Sequence, residues 1–166
     1  MGTQLGRQVR PNALESNNLT EAVGALYYAL STKRYLFLLR DEARHTNTWG
    51  LVGGKIERGE SVMEALRRET IEEIGFEPDV GKFIPLETFT SSDDKFKYYT
   101  FVCTIEHEFI PSLNHEHKGY CWTQIDYYPK PLHPGVWSTF NFESVQQKIA
   151  TLESILDVNY LPKLPV

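Results

Sequence analysis

Gly53-Gly54-Lys55-Ile56-Glu57-Arg58-Gly59-Glu60-Ser61, followed by Val62-Met63-Glu64-Ala65-Leu66-Arg67-Arg68-Glu69-Thr70-Ile71-Glu72-Glu73-Ile74-Gly75-Phe76, is the stretch that decides the fold. Ser61 with Glu64 three residues on is a capping box: the serine oxygen meets an early helix N–H and the glutamate reaches back to the cap. A helix is therefore predicted from near Ser61. Gly75 stands just past the last periodic residue, where a left-handed glycine closes a helix, and Pro78 lies beyond it. At roughly 100° per residue, Val62, Met63, Ala65, Leu66, Thr70 and Ile74 gather on one side, which should face a core. Glu69 and Glu73 project onto that same stripe, with Glu72 on its flank.

That placement needs a physical cause. Glutamates spaced i, i+3 and i+4 repel one another, and partial burial adds a desolvation cost that a lone carboxylate cannot offset. A divalent cation answers the repulsion, and clustered hard oxygen donors suit magnesium or manganese better than zinc. Arg68 is placed to pair with a neighbouring carboxylate, Glu69 first. The competing outcome is a solvated acidic face balanced by Arg67, Arg68 and Lys55, since charge runs are usually surface. The segment in front favours the cation. Gly53 and Gly54 are expected to form a loop whose backbone approaches a ligand closely and whose carbonyl can join a metal shell. Gly59 allows a tight turn that returns Glu60 to the helix start.

Working outward, residues 22–30 and 35–40 are rich in Tyr, Leu and Phe and are split by Ser31-Thr32-Lys33-Arg34, which predicts a β-hairpin. Residues 48–52 read as a short strand that ends at the glycine pair. Residues 82–90, 95–106 and 119–124 read as further strands, the second marked by Tyr98, Tyr99, Phe101, Val102 and Ile105. Residues 142–158, with Val145, Ile149, Leu152, Ile155 and Leu156, form an amphipathic helix. The proline-limited stretch 129–135 reads as a rigid crossover. Residues 1–20 are a polar lead-in, and residues 21–160 are expected to form one α+β or mixed α/β layered domain. A chain of 166 residues with 41% hydrophobic content supports one core of that size and is too short for two.

The net charge of -5 argues against a long basic surface, so stable nucleic-acid binding is not expected and any phosphate must be held by a few local cations or a metal. The longest apolar stretches fall short of the roughly 20 residues a membrane span needs. Cys103 and Cys121 are the only cysteines and a secretory signal is not evident, so a cytoplasmic location is expected. Assembly as a homodimer is left open.

Gly54, five residues, Glu60, seven residues, then Arg68 through Phe76 resembles the Nudix box, with every charged and glycine position of the pattern present. Thr70 departs from it, standing where the family usually has an aliphatic residue. The resemblance implies an α/β/α sandwich with a mixed β-sheet, and metal-assisted attack of water on a phosphorus of a nucleoside diphosphate linked to another group. By that likeness Glu69, Glu72 and Glu73 bind Mg2+, with Mn2+ as a substitute. Gly54 contributes its carbonyl, Arg68 holds Glu69, and Glu60 supports the loop and helix, through a metal-bound water in one version. The cations would polarise phosphoryl oxygens, neutralise developing charge and acidify a water.

The candidate catalytic set is Glu69, Glu73, Arg68 and Glu116. His115-Glu116-His117, followed by Tyr120 and Trp122, resembles a segment of diadenosine polyphosphate hydrolases and of some bacterial and phage Nudix proteins. Glu116 is accordingly the candidate general base or extra metal ligand, Glu69 is its competitor, and a solvated loop is the ordinary alternative. A zinc site from His115 and His117 with Cys121 or His107 matches no standard spacing. Lys55 and Arg40 are candidate phosphate contacts. Trp49, Tyr98 and Tyr99 could stack a base, although strand aromatics more often fill the core. Nothing in the sequence requires His133 at the cleft. The Gly-Gly-Lys-Ile-Glu form of the loop is similar to Nudix enzymes acting on nucleoside triphosphates, which are the expected substrates. The His-Glu-His segment favours dinucleoside polyphosphates instead. A non-catalytic, nucleotide-binding regulatory Nudix domain is the alternative of another class, and such a domain would be expected to have lost a box glutamate or the arginine.

Overall fold

Alternation along one strand, β1 (Thr20–Ala29), organises the molecule, whose computed structural model describes residues 18–161. Val23, Ala25, Tyr27 and Ala29 enter one hydrophobic cluster, while Leu26 and Tyr28 enter a second on the opposite face. A strand buried on both faces must sit at the centre of a sheet, and β1 does. It runs parallel to β6 (Phe96–Ile105) along its whole length. Its other edge pairs antiparallel first with β4 (Val52–Lys55) and then, at Tyr28 and Ala29, with β2 (Arg34–Arg40). β2 also pairs with β3 (Trp49–Gly50) and β7 (His117–Thr123), and β5 (Lys82–Thr90) lies antiparallel to β6. The result is a seven-stranded mixed sheet.

Helix α1 (Val62–Ile74) covers the face bearing Val23 and Tyr27, packing Ala65, Leu66 and Ile74 there. Helices α2 (Pro134–Phe140) and α3 (Glu143–Asn159) cover the other through Val136, Phe140, Val145, Ile149 and Leu156. This is the expected α/β/α sandwich. Fully burying aliphatic and aromatic side chains of this kind contributes about 1.5–3 kcal/mol each. Two buried tyrosines keep their hydroxyls satisfied: Tyr28 donates to Asp157 at 2.7 Å and Tyr35 to Glu153 at 2.9 Å, which ties α3 to the sheet.

Several expectations are corrected by tertiary pairing. The hairpin forms, but β1 and β2 share only two residue pairs, because β4 takes the rest of that edge. The glycine pair is not a loop. Gly53 and Gly54 lie inside β4, where Gly53 faces Gly24 and a Cβ on it would run into the Val23 carbonyl oxygen. The crossover at residues 129–135 runs into α2, too short to show a period, with Pro134 at its start and His133 as its cap. β7 begins at His117, before the expected residue 119. Met63 and Ile155, assigned to apolar stripes, are 39% and 51% exposed because the sheet covers a narrower arc of each helix. Residues 1–17 of the expected lead-in lie outside the described residues, and Thr20 already belongs to β1. Among the described residues no helix is long and apolar enough to cross a membrane.

The capping box on α1 is present: Glu64 N–H donates to Ser61 Oγ at 3.1 Å, and Ser61 N–H donates to Glu64 Oε2 at 3.2 Å. Gly75, at φ 87°, donates its N–H to the Ile71 carbonyl at 3.0 Å and closes the helix. Ser61→Ala should lower stability by about 1 kcal/mol in urea unfolding, while Ser61→Asp should hold it near the parent value.

Candidate functional site

The sheet-facing edge of α1 carries two acids out of water: Glu69 is 9% exposed and Glu73 is 1% exposed. The Glu73 carboxylate accepts the Gly53 N–H in a long contact at 3.3 and 3.4 Å. Burial holds its pKa well above the usual carboxylate range, the charges of Glu69, Glu116 and Glu42 push the same way, and the Gly53 amide opposes them. Glu69 is also raised, chiefly by burial, against the pull of Arg68. Two buried carboxylates therefore stand side by side with too little positive charge between them.

Arg68 is the cation the protein supplies. Its Nε and Nη2 donate to the two Glu60 oxygens at 2.6 and 3.0 Å, a bidentate pair, and Nη2 also reaches the Lys55 carbonyl at 3.0 Å. Nη1 donates to Glu69 Oε1 at 2.9 Å and to Glu72 Oε2 at 3.4 Å. The expected Arg68–Glu69 contact exists, but Glu60 is the closer partner, so Glu60 acts on the turn directly through Arg68. That hydrogen bond, with the Glu57 backbone N–H, holds the Glu60 carboxyl below its ordinary pKa. Gly54 is the second fixed point. A Cβ there would lie 2.5 Å from Glu69 Oε1, so the missing side chain is the cradle in which that carboxylate rests. The side chain of Glu72 stays half exposed on the flank.

The atoms that converge most tightly come from two elements. Carboxylate oxygens of Glu73 and Glu116 and a ring nitrogen of His117 all lie within 4.8 Å of one another. His117 Nδ1 is 3.9 Å from Glu73 Oε2, is buried, and has no hydrogen-bond partner among the described residues. Burial, with Arg40 second, pushes the His117 pKa down to about 4, so the imidazole is neutral at pH 7. A buried and a half-buried carboxylate, beside a nitrogen with no hydrogen-bond partner among the described residues, fit a divalent metal ion. The zinc grouping does not form. Cys121 packs against the core on the far face of the sheet and His107 is an exposed neighbour of Glu106.

A cavity of about 450 Å3 opens against the glycine pair, lined by Gly53, Gly54, Lys55, Arg40, Tyr98, Phe89, Phe96, His133 and Ser138 among others. Of the three aromatics singled out in the sequence, Tyr98 lines it, whereas Trp49 packs on the core and Tyr99 donates to Glu21 at 2.7 Å. Phe89 and Phe96 were not anticipated. Period-two alternation could have put Phe96 and Tyr98 on one face, but only α2 leaves the void beneath them. Lys55 is exposed at the wall. Arg40 Nη2 donates to Glu42 at 2.6 Å, and its buried Nε has no partner among the described residues. His133 accepts the Gly135 N–H at 3.0 Å and packs edge-on against His45 at 4.7 Å. Burial first, then the charges of Arg40, His45 and Arg44, lowers its pKa to about 4.

The NUDIX domain profile matches residues 19–141, and the chain belongs to the Nudix family of pyrophosphohydrolases. Among solved structures, a MutT Nudix hydrolase from Burkholderia pseudomallei is 23% identical, with TM-score 0.55, covering 76% of this chain and 97% of its own. A Caenorhabditis elegans Ap4A hydrolase is 17% identical, with TM-score 0.58 and coverages of 81% and 97%. The Escherichia coli dihydroneopterin triphosphate pyrophosphohydrolase is 23% identical, with TM-score 0.54 and coverages of 79% and 95%. A search of curated protein sequences finds no significant match.

Gly54→Ala should leave the circular dichroism spectrum unchanged but displace the Glu69 carboxylate, lowering metal-dependent turnover by about 10- to 100-fold. His133 sets an acid limb on stability. Its folded pKa of about 4 lies below the unfolded value of about 6.5, so its contribution is complete above 6.5 and is lost as pH falls toward 4. Urea midpoints of wild type relative to His133→Gln should therefore drop as pH is lowered across that window, whatever slope the raised carboxylates Glu69 and Glu73 add to both proteins.

Proposed function

We propose that this chain is a magnesium-dependent hydrolase of the pyrophosphate linkage in nucleoside triphosphates or related nucleoside diphosphate derivatives. One observation carries the proposal: Gly53 and Gly54 are shared by the wall of a largely apolar cavity and by the edge where Glu69 and Glu73 are buried. A ligand lying across that boundary has an apolar end in the cavity and an anionic end over the acids, as a nucleotide does. The cavity, at about 450 Å3, suits one nucleoside. Phe89, Phe96 and Tyr98 would flank the base, and Lys55 and Arg40 would hold phosphate oxygens, Arg40 after exchanging Glu42 for the ligand.

Glu69, Glu72, Glu73 and the Gly54 carbonyl would hold the metal ions, with Glu116 as a further ligand or as the base. Bound there, magnesium would neutralise charge developing on the phosphoryl oxygens and make a water easier to deprotonate. As water's oxygen bonds to phosphorus and the bridging P–O bond breaks, Glu116 would take the water's proton on one carboxylate oxygen while its other oxygen stays on the cation. Glu69 is less free to do so, since Arg68 already donates to it at 2.9 Å and Gly54 fixes its position. Arg68 acts as a positioning residue that ties Glu60, the turn and Glu69 together.

Support for a triphosphate over a dinucleoside polyphosphate comes from the cavity, which offers room for one nucleoside beside the glycine pair. A MutT protein and a dihydroneopterin triphosphate pyrophosphohydrolase share the fold, but so does an Ap4A hydrolase, so fold alone does not choose. Retention of Arg68, Glu69, Glu72 and Glu73 supports catalysis over a binding-only role.

Hydrolysis should be followed on a panel of nucleoside triphosphates, dinucleoside polyphosphates and nucleotide sugars, with and without magnesium, identifying each product. Turnover of triphosphates only with magnesium is expected. Preference for dinucleoside polyphosphates would replace the substrate assignment, and no turnover of any member would overturn the enzyme. Glu73→Gln, nearly isosteric, should keep the fold and lose magnesium-dependent turnover by at least about 100-fold; full activity would rule out the assigned acids.

A further inference from the structure

We propose that His117 is a direct nitrogen ligand of the cation held by Glu73 and Glu116, so that manganese and cobalt bind this magnesium site more tightly than its oxygen donors alone would hold them. This rests on the metal-dependent reading above and specifies its ligand set.

One ring nitrogen of His117 stands without a hydrogen-bond partner among the described residues. The atom is Nδ1, and the side chain that carries it is 4% exposed. Buried polar atoms in folded proteins are nearly always paired, so an orphan 3.9 Å from the Glu73 carboxylate calls for an explanation. A hydrogen bond to Glu73 is not one, since 3.9 Å is beyond hydrogen-bond range. A cation between them is, because its coordination sphere is filled by atoms that approach one another without touching, and the oxygens of Glu73 and Glu116 with the imidazole nitrogen fall within 4.8 Å. Both the carboxylate oxygens and an unprotonated ring nitrogen offer lone pairs that a cation can accept.

The backbone explains how a strand residue comes to face these acids. In β7, His117 pairs with Arg40 while Gly119 pairs with Leu39, so Lys118 is an extra residue and the register shifts there. Adjacent residues of β2 point to opposite faces, and their partners do likewise. The bulge therefore turns His117 to the face opposite Gly119, toward α1, where strict alternation would have put it away from Glu73. Bulges of this kind re-aim side chains at functional sites. Two further contacts hold the approach: Asp41 N–H donates to the Glu116 carbonyl at 2.8 Å, and Glu116 N–H donates to Asn114 Oδ1 at 3.1 Å.

The chemical consequence is selectivity. Carboxylate and carbonyl oxygens alone suit magnesium, whereas an imidazole nitrogen adds little for magnesium and strengthens binding of first-row transition ions.

The test is pulsed electron paramagnetic resonance of Mn2+ bound to the full chain, grown with histidine carrying 15N in the ring. Wild type should show a 15N histidine coupling to the bound ion, lost in His117→Gln and kept in His115→Gln. In equilibrium binding, His117→Gln should weaken Mn2+ and Co2+ by about tenfold or more and change Mg2+ by less than about threefold. Should His117→Gln fail to fold, the coupling in wild type is assigned by its survival when His45, His107, His115 and His133 are replaced in turn, and its loss in any of these overturns the proposal. Bound Mn2+ without histidine coupling would overturn the role of His117 and leave the metal-dependent hydrolase standing. No Mn2+ bound at millimolar concentration would overturn both.

Discussion

A carboxylate that is 1% exposed and, among the described residues, receives a long contact from one backbone amide is the constraint around which this molecule is built. Glu73 sits where α1 meets the sheet, with Glu69 and Glu116 close enough to raise its pKa further. The nearby cations are engaged elsewhere. Arg68 is taken by Glu60 and Glu69, and Arg40 by Glu42 and the Arg44 carbonyl. The residual negative potential is left for something that binds. Burying acids in this way costs folding free energy, and the neighbouring core of Leu66, Ile74, Val23 and Tyr27 is what keeps α1 docked regardless.

Precision at such a site depends on backbone that cannot drift. The capping box and the left-handed Gly75 fix both ends of α1, so Glu69, Glu72 and Glu73 present themselves at one register. β4 then carries the glycine pair past them, paired to β1 at residues on the opposite edge from β6. Gly53 lets β4 close on β1, and Gly54 leaves space for the Glu69 carboxylate. Because those same residues wall the cavity on their other side, a single strand separates the acidic edge from the apolar pocket. Binding and chemistry are thereby held at a fixed spacing by sheet hydrogen bonds rather than by a loop.

What the sequence determined by itself was local or periodic. Cap residues, the helix stripe, the acidic edge and the mixed α/β layering follow from contacts within a few residues of one another, and Glu69, Glu73, Arg68 and Gly54 could be named from their spacing. Glu116 was reached through a resemblance, and Lys55 and Arg40 through their charge and position. Tertiary structure decided the rest. Whether the glycine pair is loop or strand depends on which edge of β1 is free, and that depends on β2 turning away after two pairs. The pairing of Arg68 with Glu60 needs the turn to fold back on α1. His117 faces Glu73 only because one extra residue shifts the register of β7, and the cavity exists only because α2 stops short of Phe89, Phe96 and Tyr98. These depend on strand order, register and voids between elements, quantities set by the packing of distant segments, which no local period encodes.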